Sequence, residues 1–239
     1  MKINHLNRIG YFLLRKEINM PKLISKLFFS FYEKSILQQL LIREQINCVL
    51  DIGSHKGSFI QSLRKIGYKK HIISFEPTLS SYQYLKNNFS DDKNLICYNI
   101  ALGDFNGKQK INTMGLSNLN SFLDPIDLNV KSKINVKVKK LDEIMPDILN
   151  KVENPKIFCK IDTQGYDLNV LKGAGEYVNS FKILQSEISI QPLYKNTPNY
   201  IQSFEYFESI GFKVIQLFPC SKNNKLNETL EFDCIMIRK

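Results

Sequence analysis

The sequence predicts an α/β fold with a mostly parallel sheet, helices on both of its faces and a helical appendage at the N-terminus. Short apolar runs rich in β-branched residues alternate with helical patterns along most of the chain. Parallel strands need a crossover connection, which a helix normally supplies, so this alternation indicates βαβ units. The 239 residues suffice for one such domain with a buried core, but not for two full-sized ones.

Composition is that of an ordinary globular protein, with 43% hydrophobic and 23% charged residues. The formal charge of +10 raises the question of a nucleic-acid partner, because lysine-rich faces bind phosphates. The lysines are scattered along the chain beside abundant Asn and Ile, which favours a general compositional bias. We therefore expect no nucleic-acid partner, and an anionic partner is the alternative that the charge leaves open.

The cysteines are odd in number and show no CxxC or Cys/His ligand spacing. Four of them lie in apolar, strand-like runs, where a free cysteine behaves as a small hydrophobe: Cys48, Cys97, Cys159 and Cys234. The N-terminus has no signal-peptide pattern, and no run approaches the roughly 18 apolar residues of a spanning helix. These features predict a cytoplasmic protein that is soluble or at most attached to a surface.

The first predicted element is an amphipathic helix between Pro21 and Glu44, where apolar residues recur at steps of three and four. It belongs to an N-terminal appendage, residues 1–45, that precedes the main domain, residues 46–239. Basic residues alternate with apolar ones before and within this helix. The appendage is either a brace on the domain or, through residues 1–40, a contact with a membrane surface or a partner.

The main domain starts with a Rossmann-like half. Its strands are NCVLDI, HIISFE and NLICYNIAL, and its helices span residues 57–66 and 78–89. Residues 103–140 follow, with one strand in KQKINTM, a second in INVKVKKL and a long polar loop between them. Long irregular segments in compact domains are commonly functional, so this segment is predicted to form the wall of a substrate site.

The second half resumes the βα rhythm. KIFCKID and FKILQSEIS are predicted strands, each followed by a helix, at residues 167–173 and 199–210. The final strands, FKVIQLF and FDCIMIRK, are separated by the polar segment SKNNKLNET and are therefore predicted to pair antiparallel.

The segment DIGSHKG carries the clearest binding motif. Asp51 ends a buried strand, and Gly53, Ser54 and Gly57 form the turn into a helix. Glycine accepts positive φ and lets the backbone approach a ligand closely, while the helix N-terminus offers free N–H groups. The turn has neither GxGxxG nor GKS/T, which counts against a dinucleotide or a P-loop. The acidic Asp51 instead suits the amino and sulfonium groups of S-adenosylmethionine.

Glu76 ends the next strand, where an acidic side chain can hold both hydroxyls of a ribose. The alternative is that Glu76 caps the following helix at Pro77. Pro77 is itself a cofactor-site candidate, and Asn99 and Ala101, at the end of the third strand, are candidates for the adenine side. The predicted cofactor is S-adenosylmethionine.

Five motifs occur in one order: DIGSHKGSF, SFEP, NIALGDFNG, KIDTQGYDLNVLKGA and LQSEIS. They resemble the FkbM family of methyltransferases over roughly residues 45–239, and Asp51, Gly53, Gly57 and Glu76 match its cofactor motifs. The resemblance implies a class I methyltransferase fold, with a seven-stranded sheet containing one antiparallel strand, and O-methylation, often of sugars or natural products. Where the family usually has KIDVEG, a small residue and Glu, this chain has Gln164 and Asp167.

Methyl transfer from a sulfonium is an in-line displacement, and an alcohol acceptor needs help to lose its proton. Asp162 and Glu187, at the ends of two adjacent strands, are each a candidate base, substrate anchor or ligand of a divalent ion. Alternatively they cap loops or pair with Lys160 or Lys182. His55 is a third candidate base, or contributes only its backbone. The ligand spacing does not support a metal site, so metal dependence is left open.

Tyr194 and Tyr200, in QPLYKNTPNY, either line the acceptor site or pack in their loop. The leading hypothesis is an O-methyltransferase acting on a hydroxyl of a sugar, glycan or related small metabolite. One alternative is a nucleic-acid methyltransferase, although DTQG stands where base-amino enzymes carry an (N/D/S)PP(Y/F) clamp. The other is a non-catalytic membrane-associated or scaffolding module that retains the cofactor fold.

Overall fold

The computed structural model describes residues 22–223, 226 and 228–239, with backbone alone for residues 22–28. The chain divides after Leu37 into two compact units. Helix α1, Lys22–Arg43, begins in the first unit and continues into the second, as the apolar spacing predicted. The basic segment ahead of it lies outside the described residues. Among the helices that the structure describes, none has the length and apolar character needed to cross a membrane.

The second unit alternates strands and helices. Its first half contains β1 (Cys48–Ile52), α2 (Ser58–Lys65), β2 (His71–Phe75), α3 (Leu79–Asn88), β3 (Leu95–Tyr98) and β4 (Ala101–Leu102). The middle contains β5 (Gly107–Met114), β6 (Val130–Lys139) and α4 (Met145–Lys151). The remainder contains β7 (Ile157–Ile161), α5 (Asp167–Gly173), β8 (Phe181–Ser189), α6 (Tyr200–Ser209), β9 (Phe212–Asn223) and β10 (Glu228–Arg238).

The main sheet has seven strands in the order β3-β2-β1-β7-β8-β10-β9. Only β10 runs against its neighbours, pairing antiparallel with both β8 and β9. This confirms the predicted mostly parallel sheet and the antiparallel pairing of the last two strands. The carboxyl ends of β1, β2, β7 and β8 meet at one edge, where ligands bind in open α/β sheets.

Both faces of the sheet are covered by helices. On β7, Ile157, Cys159 and Ile161 pack into a core cluster with residues of α4 and α5. Phe158 points to the other face, where it makes an edge-to-face contact with Phe59 of α2 at 5.9 Å between ring centroids. Because β1 and β7 are buried on both faces, they read as continuous apolar runs rather than alternating ones.

Residues 103–140 are more regular than the sequence suggested. The two predicted strands, β5 and β6, pair antiparallel and join β4 in a second sheet of order β4-β6-β5. Its own small core consists of Ala101, Ile111, Val136 and Val138, against which Phe105 and Phe122 pack. The sequence predicted a polar loop and two strands, but pairing β6 with β4 joins residues far apart in the chain, which local patterns do not report.

Gly53 yields the first prediction. Its φ is +81°, and a Cβ built there would lie 1.9 Å from the carbonyl oxygen of Asp162. Gly67 has a similar φ of +90° but nothing within 4 Å of its would-be Cβ, which makes Gly67→Ala the matched control. Gly67→Ala should cost about 1–2 kcal/mol of unfolding free energy from backbone strain alone. Gly53→Ala should cost clearly more in urea denaturation, and equal costs would contradict the packing argument.

Candidate active site

A cavity of about 260 Å³ opens at the carboxyl ends of the strands. One side is formed by the turn after β1 and by residues that follow β2 and β3. The opposite side is formed by residues at the ends of β7 and β8, and the outer wall by residues 117–122 of the segment between β5 and β6. The cavity lining includes these predicted site residues: Gly53, Ser54, His55, Glu76, Pro77, Ala101, Asp162 and Glu187.

The glycine turn is held between β1 and β2 by its own hydrogen bonds. The backbone N–H groups of Gly53 and Ser54 both donate to the carbonyl of Phe75, at 3.0 and 3.2 Å. The hydroxyl of Ser54 donates to the carbonyl of Asp51 at 2.7 Å, and Ser74 donates to that hydroxyl at 2.6 Å. Ser54 therefore lines the cavity while its hydroxyl holds the turn in place.

Gly57 is placed differently from the other predicted cofactor residues. It lies at the start of α2 with φ of +78°, and it is absent from the cavity lining. A Cβ there would lie 2.7 Å from both Leu85 and Phe89. The structural requirement for glycine at this position is thus its packing against α3 and the residue that follows it.

Glu76 is buried, with 5% of its surface exposed, and lines the cavity. Its Oε2 accepts from the backbone N–H of His55 at 2.8 Å, and its Oε1 accepts from the backbone N–H of Thr78, also at 2.8 Å. Burial raises the pKa of Glu76, and these hydrogen bonds oppose that rise. The carboxylate thus braces the start of α3 and also faces the cavity, so both interpretations made from the sequence fit its position.

The adenine-side candidates separate into two kinds. Pro77 and Ala101 line the cavity. The side chain of Asn99 instead donates to the backbone carbonyls of Glu76 and Pro77, at 2.9 and 3.0 Å, and is absent from the lining. Asn99 therefore supports the segment that presents Glu76, and direct contact between Asn99 and adenine stays a prediction.

Asp51 lies behind the cavity wall and is fully buried. Neither of its carboxylate oxygens has a hydrogen bond within the part of the chain that the structure describes. Its counter-ion is the ammonium of Lys160, 3.5 Å away, which also contacts Asp162 Oδ2 at 3.1 Å. Contact between Asp51 and the cofactor stays a prediction, because the structure places Lys160, not Asp51, at the cavity surface.

Lys160 is an unusual residue for the middle of a buried strand. Burial by itself would lower the pKa of its ammonium, but Asp162 and Asp51 outweigh burial and raise that pKa. Burial likewise raises the pKa of Asp51, and Lys160 opposes the rise. Each charge is therefore tolerable only in the presence of the other, because an unpaired buried charge is costly.

Gln164 joins the two predicted catalytic carboxylates. Its amide Nε2 donates to Asp162 Oδ1 and to Glu187 Oε2, at 3.1 Å each. Its Oε1 accepts from the hydroxyl of Tyr194 at 3.0 Å, which orients the amide NH₂ towards the acids. Burial, and then the charge of Asp162, raise the pKa of Glu187 well above its usual range. The residue that departs from the family pattern thus brings the two acids together.

Asp167, the second departure from the family pattern, has a structural role. Its Oδ1 accepts from the backbone N–H of Thr163 at 2.9 Å, and its Oδ2 accepts from Ser186 Oγ at 2.7 Å and from the backbone N–H of Glu187 at 3.2 Å. Burial raises its pKa, and the bonds to Thr163 and Ser186 oppose the rise. Asp167 therefore ties the turn after β7 to β8.

His55 and the two tyrosines complete the set of predicted residues. The Nε2 of His55 lies 2.7 Å from Ser117 Oγ, and burial, followed by the charge of Lys56, lowers the pKa of this histidine. The lowered pKa favours the neutral imidazole. Tyr194 is buried behind the lining, whereas Tyr200 begins α6 with 42% of its surface exposed. A direct contact of either tyrosine with an acceptor stays a prediction.

Sequence reasoning missed two charged residues near Asp162 and Glu187, namely Glu231 and Asp233. It named Lys160 only as a possible partner of Asp162 or Glu187, which the contact with Asp162 bears out. Lys160 had a visible signal, a lysine inside the apolar run KIFCKID. Asp233 stands opposite Glu187 in the register between β8 and β10, and burial raises its pKa to about 6. Glu231, which lies on β10 with Asp233, accepts a hydrogen bond from the hydroxyl of Ser189 on β8 at 3.2 Å. The acids of β10 had a weak signal, since they alternate with apolar residues in EFDCIMI.

Metal binding was left open by the sequence. Across residues 22–223, 226 and 228–239, no group of three or more His, Cys, Asp or Glu side chains has an arrangement that could hold a metal ion. Near Asp162 and Glu187, the positions next to the carboxylates are taken by the amide of Gln164 and the ammonium of Lys160.

The sheet order, the glycine turn after β1 and the acid at the tip of β2 define a class I methyltransferase. A family model, the methyltransferase FkbM domain, matches residues 51–214, and the chain belongs to that family. The protein is an S-adenosylmethionine-dependent methyltransferase, which confirms the predicted enzyme class and cofactor. The cavity lining fits this cofactor, since it offers the buried carboxylate of Glu76 beside Pro77 and Ala101. A ribose contact for Glu76 and adenine contacts for Pro77 and Ala101 stay predictions.

Solved structures of similar backbone include a precorrin-6y C5,15-methyltransferase from Geobacter metallireducens, with 11% identity, coverage of 86% of this chain and 87% of the other, and a TM-score of 0.46. An rRNA methylase from Streptococcus thermophilus has 9% identity, coverage of 85% and 94%, and a TM-score of 0.43. SMU.1697c of Streptococcus mutans, in complex with SAH, has 9% identity, coverage of 86% and 97%, and a TM-score of 0.46. No curated protein matches the sequence.

Glu76→Gln tests the cofactor side of the cavity. The amide keeps the size of the side chain but removes the charge and places an NH₂ group where an oxygen accepts from His55 or Thr78. S-adenosylmethionine should bind at least tenfold more weakly in calorimetric titration, about 1.4 kcal/mol or more. Glu205→Gln, on the exposed surface of α6, is the matched control and should leave binding unchanged. Unchanged binding in Glu76→Gln would exclude this carboxylate from cofactor binding.

Lys160→Met tests the buried charges. The variant leaves Asp51 without a counter-ion and should lose about 3–5 kcal/mol of unfolding free energy in urea denaturation. The double variant Asp51→Asn with Lys160→Met removes both charges and should recover much of that loss, because the penalty comes from the unpaired carboxylate. A double variant no more stable than Lys160→Met would show that the lysine stabilises the fold by some other contact.

Proposed function

We propose that this methyltransferase acts on a hydroxyl of a sugar, a glycan or a related small metabolite. The observation that carries the proposal is the pair of carboxylates, Asp162 and Glu187, joined by one amide on the side of the cavity opposite Glu76. An aliphatic hydroxyl needs a base to lose its proton as the methyl group arrives. The bound cofactor supplies the electrophilic methyl group, and these acids supply the acceptor chemistry.

The two carboxylates have different environments, which suggests different roles. The side chain of Asp162 is 36% exposed and also contacts the ammonium of Lys160, so it is suited to orient an incoming hydroxyl. Glu187 lies deeper, and burial raises its pKa well above the usual range. A raised pKa makes the ionised carboxylate a stronger base, so we assign proton removal to Glu187. Gln164 fixes the positions of both carboxylates through the hydrogen bonds of its amide.

The outer wall of the cavity supports a polyhydroxylated acceptor. Ser117, Asn118, Asn120 and Ser121 contribute hydroxyl and amide groups to the lining, and Phe122 contributes an apolar surface. Convergent polar groups beside an aromatic ring provide both hydrogen bonds and a stacking face for a sugar. These residues come from the segment that the sequence marked as the wall of the substrate site.

A nucleic-acid acceptor is less well supported. In the described part of the chain, Lys160 is the only lysine or arginine in the lining, against the acids Glu76, Asp162 and Glu187. Acidic groups around an acceptor site repel phosphates rather than attract them.

A cytoplasmic location remains a prediction. A contact of residues 1–40 with a membrane surface or a partner also remains a prediction, and residues 1–21 lie outside the described part of the chain.

Asp162→Asn and Glu187→Gln test this assignment in a methyl-transfer assay with a panel of sugars and small glycans. Glu187→Gln should lower kcat by about 10²–10⁴-fold. Because burial and Asp162 raise the pKa of Glu187, wild-type activity should rise as the pH increases through that raised value. Asp162→Asn removes a neighbouring negative charge, which lowers the pKa of Glu187, so the rise in activity should move to lower pH.

Asp91→Asn and Glu205→Gln, both on the exposed surface, are the matched controls and should keep the wild-type profile. Methyl incorporation into nucleic acid and into none of the hydroxyl acceptors would refute the proposed acceptor class. An unshifted profile in Asp162→Asn would refute Glu187 as the base.

A further inference from the structure

The outer sheet carries a basic surface that the proposed chemistry does not use. In the register between β5 and β6, Lys108 stands opposite Lys137, and Lys110 and Lys133 lie two and four positions further along. Side chains two residues apart on a strand point to the same side, so these four lysines share one side of the sheet. All four residues are exposed. We call them the lysine face.

Charge on the lysine face is poorly balanced by the protein itself. Within the described residues, one of the four lysines has an ion pair, Lys133 with Asp124 at 3.3 Å, and both of those side chains are more than half exposed. Lys139, two positions beyond Lys137 on β6 and not one of the four, does have a short ion pair, with Glu143 at 2.7 Å. Like charges directly opposite each other across two strands are destabilising. The pairing of Lys108 with Lys137 therefore costs the sheet stability unless an anion lies over it.

The lysine face is next to the cavity. Ile111 follows Lys110 on β5 and lines the cavity from the opposite side of the strand. Asn112 exchanges backbone hydrogen bonds with Ser121, at 2.8 and 3.2 Å, and Ser121 also lines the cavity. The same strand thus presents its lysines outward and its apolar residues to the cavity. β5 is an edge strand of its sheet, so a chain bound along the lysine face would reach the cavity around that edge, near Ser121.

The geometry suits an extended chain with repeated negative charges. Lys108 and Lys110 are about 7 Å apart along the strand, and Lys133 and Lys137 about 13 Å apart. No aromatic side chain stands among the described residues on this side of β5 and β6, so there is no platform for stacking unpaired bases. Lysine also lacks the planar fork with which arginine recognises bases. These features favour a backbone of spaced anionic groups over a base-specific nucleic acid.

We propose that the lysine face binds an anionic polysaccharide, a glycan whose repeating units carry carboxylate, sulfate or phosphate groups, and presents one of its hydroxyls to the cavity. The choice of a glycan rests on the proposed hydroxyl methylation. The lysine face supplies electrostatic attraction to the charged units on either side of the acceptor sugar, while the cavity receives the sugar itself.

Binding of the full chain to polygalacturonate and to heparin, measured by calorimetry without cofactor, tests the lysine face. Lys108→Glu with Lys110→Glu reverses two charges and places a carboxylate opposite Lys137, so this variant should fold at least as stably as the wild type. It should bind both polymers at least tenfold more weakly, and wild-type affinity should fall steeply with salt. Lys69→Glu with Lys70→Glu, exposed in the loop before β2, has the same net charge change and should bind like the wild type.

Several outcomes would overturn the proposal. The lysine face is refuted if neither polymer binds more tightly than neutral dextran, or if both variants lose affinity equally. Tighter binding of a 20-base-pair duplex DNA, or of vesicles containing phosphatidylserine, would assign the face to a different partner. If neither polymer binds but a neutral sugar is still methylated, the lysine face is refuted and the proposed hydroxyl methylation stands. Intact binding without methyl transfer to any hydroxyl would count against hydroxyl methylation, and not against the lysine face.

Discussion

The buried ammonium of Lys160 is the interaction on which the site depends. It lies in the centre of the sheet because β7 pairs with β1, and this pairing places Lys160 beside Asp51. Neither charge would be stable alone at such depth, so the two strands must stay in register for either residue to remain ionised. The same ammonium reaches Asp162 at the cavity edge. One pair of buried charges therefore connects the strand pairing with the side of the cavity that holds Asp162 and Glu187.

The two sides of the cavity are held in place by different means. On the side proposed for the cofactor, backbone N–H groups hold the carboxylate in place, since those of His55 and Thr78 donate to Glu76. On the side proposed for the acceptor, side chains hold the residues in place, because Gln164 is hydrogen-bonded to two acids and to Tyr194. The two departures from the usual family pattern, Gln164 and Asp167, both belong to such side-chain networks.

Strand ends could be predicted from the sequence, but not the side to which each side chain points. Glu76 and Ala101 were expected at the cavity and do line it. Asp51 and Asn99 were expected there by the same argument, yet one is buried behind the lining and the other supports it. Sequence spacing locates a residue along a strand to within one or two positions, whereas a single position reverses the side. The sequence therefore identified Asp51 and Asn99 as residues near the cavity but did not give their structural roles.

What the sequence by itself determined is the order of strands and helices, the glycine turn with its acids, and the resemblance to a methyltransferase family, because these are local patterns of a few residues. Tertiary structure decided the rest. It placed Gln164 between Asp162 and Glu187, and it paired β5 with β6 so that lysines distant in the chain share one surface. These are contacts between segments far apart in sequence, and their geometry follows from packing the whole domain, which no local pattern records.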